Sequence, residues 1–185
     1  VVDGRGLSRH AAQDRALAHL LQAQGLGTLL ADFLTPEEQA SQRAADLPRL
    51  TGRLVDAVQW VEAHPACAGL PVALCGLEAG SAPALLAAAK LGSRLSALAC
   101  IGGWQGLPQP SVLSTVRAST LLLVGGREPP PVADQEAVYA ALRCERSVAL
   151  VPGAGRQLQE PGALAHVAEM VGGWLLAHAL PELED

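Results

Sequence analysis

The chain has 185 residues, half of them hydrophobic and 17% charged, which supplies a core for one domain and excludes a disordered chain or two comfortable domains. A net charge of -5 leaves no basic footprint for nucleic acid, and no apolar run approaches the roughly 20 residues that span a bilayer. With aromatics at only 3%, leucine, alanine and valine must fill the interior.

In chain order, Val1-Val2 reads as the tail of a strand, so the first strands of the domain are expected to be missing from this chain. The glycine-bearing loop 3–10 follows, then a helix over 11–24 with Ala12, Leu17, Leu20 and Leu21 as its apolar stripe, stopped by Gly25 and Gly27. Residues 28–34 read as a short apolar strand ended by Thr35-Pro36, and 37–48 as a polar loop or short helix. The clearest amphipathic helix covers 50–64, with Leu54, Val55, Val58, Trp60 and Val61 facing inward and Pro65 closing it.

An apolar strand over 70–75 leads into Gly76-Leu77-Glu78-Ala79-Gly80 and an alanine-rich helix over 81–91. Strands over 95–101, 120–124 and 147–151 then alternate with a loop over 108–116, a helix over 132–142 and a long closing helix over 161–180. Strands apolar on both faces between amphipathic helices predict an α/β fold: a three-layer α/β/α sandwich on a mostly parallel sheet, in a single domain over 1–185.

Cys67, Cys75, Cys100 and Cys144 show no C-x-x-C spacing and no neighbouring histidine cluster. They are expected to be reduced structural thiols, with no metal site and no cofactor. A cytoplasmic protein without a membrane anchor is the resulting expectation.

The stretch Gly76–Gly80 carries the chemical question. A strand, a turn bounded by glycines and a helix form the layout of a nucleophile elbow, which thrusts its middle residue above the carboxyl end of a sheet. That residue is ordinarily serine, and here it is Glu78.

Taken with its surroundings, the elbow resembles that of the dienelactone-hydrolase-like branch of the α/β-hydrolases, over essentially the whole chain. The loop Gly4-Arg5-Gly6-Leu7-Ser8-Arg9-His10 is similar to that branch's oxyanion loop, and Leu29 to Glu38 to its next strand and exit. Val124-Gly125-Gly126-Arg127-Glu128 sits where the acid-bearing turn belongs, Val151 to Arg156 where the histidine loop belongs, and Glu160-Pro161-Gly162 opens the last helix. The resemblance implies a serine or cysteine nucleophile, a histidine base and an acid that orients it. The matching positions hold Glu78, Arg156 and Glu128, and Asp3 replaces the usual histidine ahead of the oxyanion loop.

Arginine, with a pKa above about 12, cannot act as a general base near neutrality. The expectation is therefore a catalytically inactive relative, in which Arg156 bridges Glu78 and Glu128 in place of a triad. Its role would be a small-molecule ligand in the relic cleft, a protein partner or a homo-oligomer. The alternative is an active hydrolase of a small ester, lactone or thioester working through the Glu78 carboxylate. Gly4, Arg5, Gly6 and Ala79 are the oxyanion-loop candidates, and His10 and Asp32 the cleft candidates. His19, His64, His166 and His178 fall on helices or helix ends, where surface or packing roles are expected, and Ser81 should point away from the nucleophile's place.

Overall fold

A computed structural model describes residues 2–3, 12–31, 33–35, 37–38, 46–102, 108–127, 132–155 and 158–179. Five parallel strands are found among them: β1 (Val2–Asp3), β2 (Ala73–Leu77), β3 (Ala97–Ile101), β4 (Ser119–Gly125) and β5 (Arg146–Val151). They lie side by side in sequence order. The helices are α1 (Ala12–Gln22), α2 (Leu47–Ala63), α3 (Ser81–Leu91), α4 (Pro110–Leu113), α5 (Val132–Ala141) and α6 (Ala163–Ala177).

The alternation of side chains along each strand divides the core into two layers. Leu74, Leu98, Cys100, Leu122 and Val124 point to one face and meet Leu54 and Val58 of α2, Leu85 and Ala88 of α3, Leu113 of α4 and Val138 of α5. Their neighbours Cys75, Leu77, Ala99, Leu121 and Leu123 point to the other face, against Leu17 and Leu21 of α1 and Val167, Val171 and Leu175 of α6. From β2 to β5 the strands step in one direction, and right-handed crossovers put the helices that connect them on one side. That is where α3, α4 and α5 lie. The opposite side is left to α1 and to α6, which leaves the last strand. The predicted α/β/α sandwich is thus the observed architecture.

Small residues set the thickness of the first layer. In α3, Ala82, Ala84, Ala87 and Ala88 are buried with Leu85 and Leu91, so the helix is apolar nearly all round and lies close against the sheet. The second layer is pinned by one polar side chain. The Gln24 amide donates to Ala168 O at 2.9 Å, and its oxygen lies 2.0 Å from where a Cβ on Gly172 would stand. Only glycine leaves that seat open.

Several sequence expectations are corrected. Residues 28–31 and 33–34 form no strand, because this apolar run lies at the rim rather than between two helix layers: Leu29 is 41% exposed and its described neighbours are only half covered. Trp60 is 56% exposed and leans on His64, with ring centroids 5.0 Å apart, so the inward stripe of α2 is Leu50, Thr51, Leu54 and Val58 instead. In α1, Ala12 is exposed and Leu20 half-buried, and the buried stripe is Asp14, Leu17, Ala18 and Leu21. Strand β2 begins at Ala73 because Leu70 and Pro71 are exposed, and the loop expected over 108–116 contains the short helix α4.

The stretch around Thr35 is a helix start of the reciprocal kind. Thr35 Oγ1 accepts from Glu38 N–H at 3.2 Å, while Glu38 Oε2 accepts from Thr35 N–H at 2.8 Å. Arg53 of α2 grips the same carboxylate with both terminal nitrogens, at 2.6 and 2.9 Å. That guanidinium, with the Thr35 N–H, holds the Glu38 carboxyl down from its ordinary 4.5 to about 2.

Candidate functional site

The elbow is built as the glycines suggested. Strand β2 runs through Gly76 to Leu77, a 3-10 turn occupies Glu78–Gly80, and α3 starts at Ser81. Glu78 has φ +46°, a left-handed conformation that costs an ordinary side chain roughly 1–2 kcal/mol. Two contacts hold it there. A Cβ on Gly76 would stand 2.7 Å from Gly80 O and 2.9 Å from Ser81 Cα, so residue 76 must be glycine for the turn to close. The buried Ser81 hydroxyl donates to Gly102 O at 2.8 Å and also lies 3.3 Å from Gly76 O.

Glu78 is half-buried and Ala79 exposed, at the amino end of α3, where the first backbone N–H groups have no helical acceptor. Residues of this kind supply one donor of an oxyanion hole in a working elbow.

The other two loops of the expected site leave the sheet at the same edge. Gly126 N–H donates to Val151 O at 3.0 Å and Arg127 N–H to Ala154 O at 3.0 Å, which ties the exit of β4 to the exit of β5. A Cβ on Gly125 would stand 2.7 Å from Ala154 O, so this junction also demands glycine. Glu160 braces it from below. Its Oε1 accepts Gly155 N–H at 3.0 Å and meets Arg127 Nη1 at 3.5 Å, and the Gly155 N–H, ahead of the Arg127 charge, holds the Glu160 carboxyl below its ordinary range.

The edge is continuous. Ser81 binds the exit of β3, Gly102 N–H donates to Leu123 O at 3.0 Å, and β4 is tied to β5 as above. Strand β1 pairs Asp3 with Leu77, so β1 ends beside the elbow. The structure therefore brings the turns leading to positions 78, 128 and 156 to one edge. Gly4, Arg5, Gly6, His10, Asp32, Glu128 and Arg156 themselves lie outside the described residues.

The histidines follow their assigned places. His19 lies in α1, His64 and His178 cap helix ends, and exposed His166 lies 3.8 Å from Glu169. All four cysteines are free. Cys75 and Cys100 belong to opposite faces of the sheet and cannot pair with each other. Burial pushes the Cys75 thiol up to about 11 and Cys100 higher still, so neither supplies a thiolate nucleophile at neutral pH. Among the described residues, no three His, Cys, Asp or Glu side chains stand together as a metal site, and no helix is long and apolar enough to cross a membrane.

Three features escaped the reading of the sequence. Asp14 is buried in the first turn of α1, at 4% exposure, in register with Leu17, Ala18 and Leu21, a spacing that was visible. The T-x-x-E signature of Thr35 and Glu38 was visible too. The brace by Glu160 was not, because it joins residues from separate loops.

The chain is similar to a dienelactone hydrolase from Anabaena variabilis, with 35% identity, a TM-score of 0.89, and a match spanning 97% of this chain and 85% of that one. The esterase Est1E from Butyrivibrio proteoclasticus superposes with a TM-score of 0.76 at 15% identity, over 95% of this chain and 85% of its own. A dienelactone hydrolase-like promiscuous phosphotriesterase from metagenomic libraries, P91, gives 0.72 at 19% identity, over 95% and 83%; these two share the fold alone. Proteins of Mycobacterium tuberculosis provisionally named phosphoribosyl transferase are 36% identical over 176 residues, which is 95% of this chain. The chain spans 40% of the length of those curated relatives. No protein-family model matches it.

Proposed function

The chain belongs to the dienelactone hydrolase family of α/β-hydrolases, and from that premise we propose that its hydrolytic site has been retired and its cleft now binds a small molecule without turning it over. One observation carries this reading: the elbow keeps the strained turn of a working site while presenting Glu78 where the family places serine or cysteine. Strain of that kind persists at sites where geometry matters.

The chemistry of the residues supports the loss of turnover. Attack by a carboxylate on an ester gives a mixed anhydride, and its hydrolysis requires a base to activate water. Arg156, at the histidine position, stays protonated and cannot be that base. In our proposal the guanidinium instead bridges the carboxylates of Glu78 and Glu128, a pairing for which its planar fork is suited. The free thiols suit a reducing compartment, so the cytoplasm is the proposed location.

The name phosphoribosyl transferase belongs to relatives of which this chain covers 40%, and we propose that any such activity there is carried by the remaining length. The stretch they share with this chain matches a hydrolase fold.

The test is hydrolysis of p-nitrophenyl acetate by the wild type, Glu78→Gln and the double variant Glu78→Ser with Arg156→His. Wild type and Glu78→Gln are expected at background, and the double variant at least about tenfold above both, since a nucleophile and base are then restored to an intact elbow. Wild-type turnover that disappears in Glu78→Gln would overturn the proposal in favour of a carboxylate-based hydrolase.

A further inference from the structure

Strand β5 ends the sheet, and among the described residues no strand pairs with its outer side. Glu145 O accepts from Thr120 N–H at 2.8 Å and Val151 O from Gly126 N–H at 3.0 Å, which fixes the orientation of the strand's backbone. Groups that face one neighbour alternate along a strand, so Ser147 and Ala149 also face β4, while Arg146, Val148 and Leu150 turn their N–H and C=O groups outward. Among the described residues, none bonds to those outward groups.

Two of these three residues, Val148 and Leu150, are apolar where an edge is usually protected. Val148 is 43% exposed and Leu150 63% exposed. Their register partners Leu122 and Val124 put both side chains on the face that carries α5. Arg146 ends this patch, its guanidinium lying 4.6 Å above the ring of the exposed Tyr139 of α5. Natural sheet edges are blunted by lysine, proline, a bulge or an inward-pointing charge. The segment Ser147-Val148-Ala149-Leu150-Val151 has none of these.

We propose that β5 is the interface of a homodimer, in which two copies join antiparallel across a two-fold axis through Ala149. The sequence is self-complementary in that register. Val148 of one copy faces Leu150 of the other, and the reverse, so the outward backbone groups of both residues are satisfied and the two exposed apolar side chains cover each other on one face. Ser147 meets Val151. Arg146 meets Pro152, which has no N–H to continue the ladder, so the pairing ends there. The centre of the strand carries no charge, and the antiparallel arrangement sends the two Arg146 guanidiniums to opposite ends, so no like charges meet. A slip of one residue would turn inward-facing backbone toward the partner and lose the pairing. The result is one sheet continuous through both subunits, with the two elbows on opposite edges. This interface is independent of the cleft and of whatever the cleft does.

Analytical ultracentrifugation of the whole chain from low micromolar to roughly 100 µM tests it. A reversible dimer is expected, because a sheet-edge contact of this size belongs to the weak end of specific interfaces. Val148→Pro removes an outward N–H without touching the β4 ladder, and Leu150→Lys places a charge in the patch. Each should raise the dissociation constant by at least about tenfold, while Leu70→Lys, at an exposed leucine elsewhere, should leave it unchanged. Far-UV circular dichroism reports whether the variants are folded. Amide exchange in the wild type gives an answer that needs no variant: Val148 and Leu150 should become slower to exchange as concentration rises. A monomer throughout the range, or a dimer unaffected by both β5 substitutions and with concentration-independent exchange at those amides, would overturn the proposal.

Discussion

The two ends of the sheet are built on opposite terms. At the carboxyl edge, both described non-glycine residues with positive φ are found, Glu78 at +46° and Leu158 at +51°, together with the two glycines whose Cβ would collide with backbone. At the amino edge the ties are made by side chains in ordinary conformations. Trp174 Nε1–H donates to Ser119 O at 3.1 Å, Ser119 Oγ donates to Glu145 Oε2 at 3.1 Å, and the same carboxylate oxygen lies 3.1 Å from His178 Nε2. His178 Nδ1 in turn lies 2.7 Å from Trp174 O, closing the end of α6. The carboxyl edge stores strain and the amino edge relieves it. A fold keeps an unfavourable turn only while the surrounding structure over-determines it, and the amino edge and the two core layers supply that surplus.

This contrast predicts a ranking of substitutions. The largest effect is expected from Gly76→Ala or Gly125→Ala, where the added methyl meets backbone that cannot turn aside. Each should destabilise by about 3 kcal/mol, seen as a fall in the urea midpoint and a melting temperature lower by roughly 6–12 °C. An unchanged midpoint for both would mean that the carboxyl edge has slack and the contrast is wrong. Ser81→Ala comes next. It strands the carbonyl of Gly102 and should cost about 1–2 kcal/mol in the same experiment.

Glu78→Gly should gain about 1 kcal/mol from relief of the positive φ, offset by the loss of whatever contacts its carboxylate makes. A stabilised variant marks the strain as a cost kept for the site; a destabilised one would mean that the contacts of the Glu78 side chain outweigh the strain. The smallest effects belong to carboxylates near the surface. Glu38 has its folded pKa lowered from 4.5 to about 2 by Arg53 and the Thr35 N–H. Its contribution is fully present above pH 4.5 and is lost as the pH falls toward 2. Glu38→Gln should therefore flatten the acid limb of the stability profile between those values by lowering the plateau above pH 4.5, and leave the stability near pH 2 little changed. At the amino edge, where the His178 contact and Ser119 hold the Glu145 carboxyl low, His178→Ala should weaken stability by less than about 1 kcal/mol.

What the sequence disclosed divides along similar lines. The elbow was legible because glycine at 76 is a local requirement of a local turn, and the sheet because β3 and β4 are apolar on both faces. The free thiols were legible because cysteines without spacing partners sit in apolar runs. Residues 28–34 misled because an apolar run does not say whether helices cover it. Trp60 misled because bulk and hydrophobicity argued for burial, although the stripe 50, 51, 54 and 58 carries α2 without it. The Glu160 brace and the Ser119–Glu145–His178 tie were beyond reach, since each joins residues far apart in the chain. For the triad-equivalent positions, the structure adds the elbow at Glu78 and the converging exits of β4 and β5; the roles of Glu128 and Arg156 rest on the resemblance.

The seat of Gln24 against Gly172 has a consequence for the order in which the chain becomes structured. Strand β1 pairs with β2 across 74 positions (76 − 2). From β2 to β5, neighbouring strands are consecutive in sequence and pair residues 24 (97 − 73), 22 (119 − 97) and 26 (146 − 120) positions apart, so that part of the sheet can form as the chain lengthens. The α1 layer cannot. Its bond to Ala168 spans 144 residues, and its apolar stripe, which meets the sheet, is not fully covered until α6 has been made. We expect α1 to be a late arrival: in pulse-labelled hydrogen exchange during refolding, its amides should gain protection together with those of α6 and after those of β2 to β4. Protection of α1 ahead of α6 would show that the layer assembles without its lock.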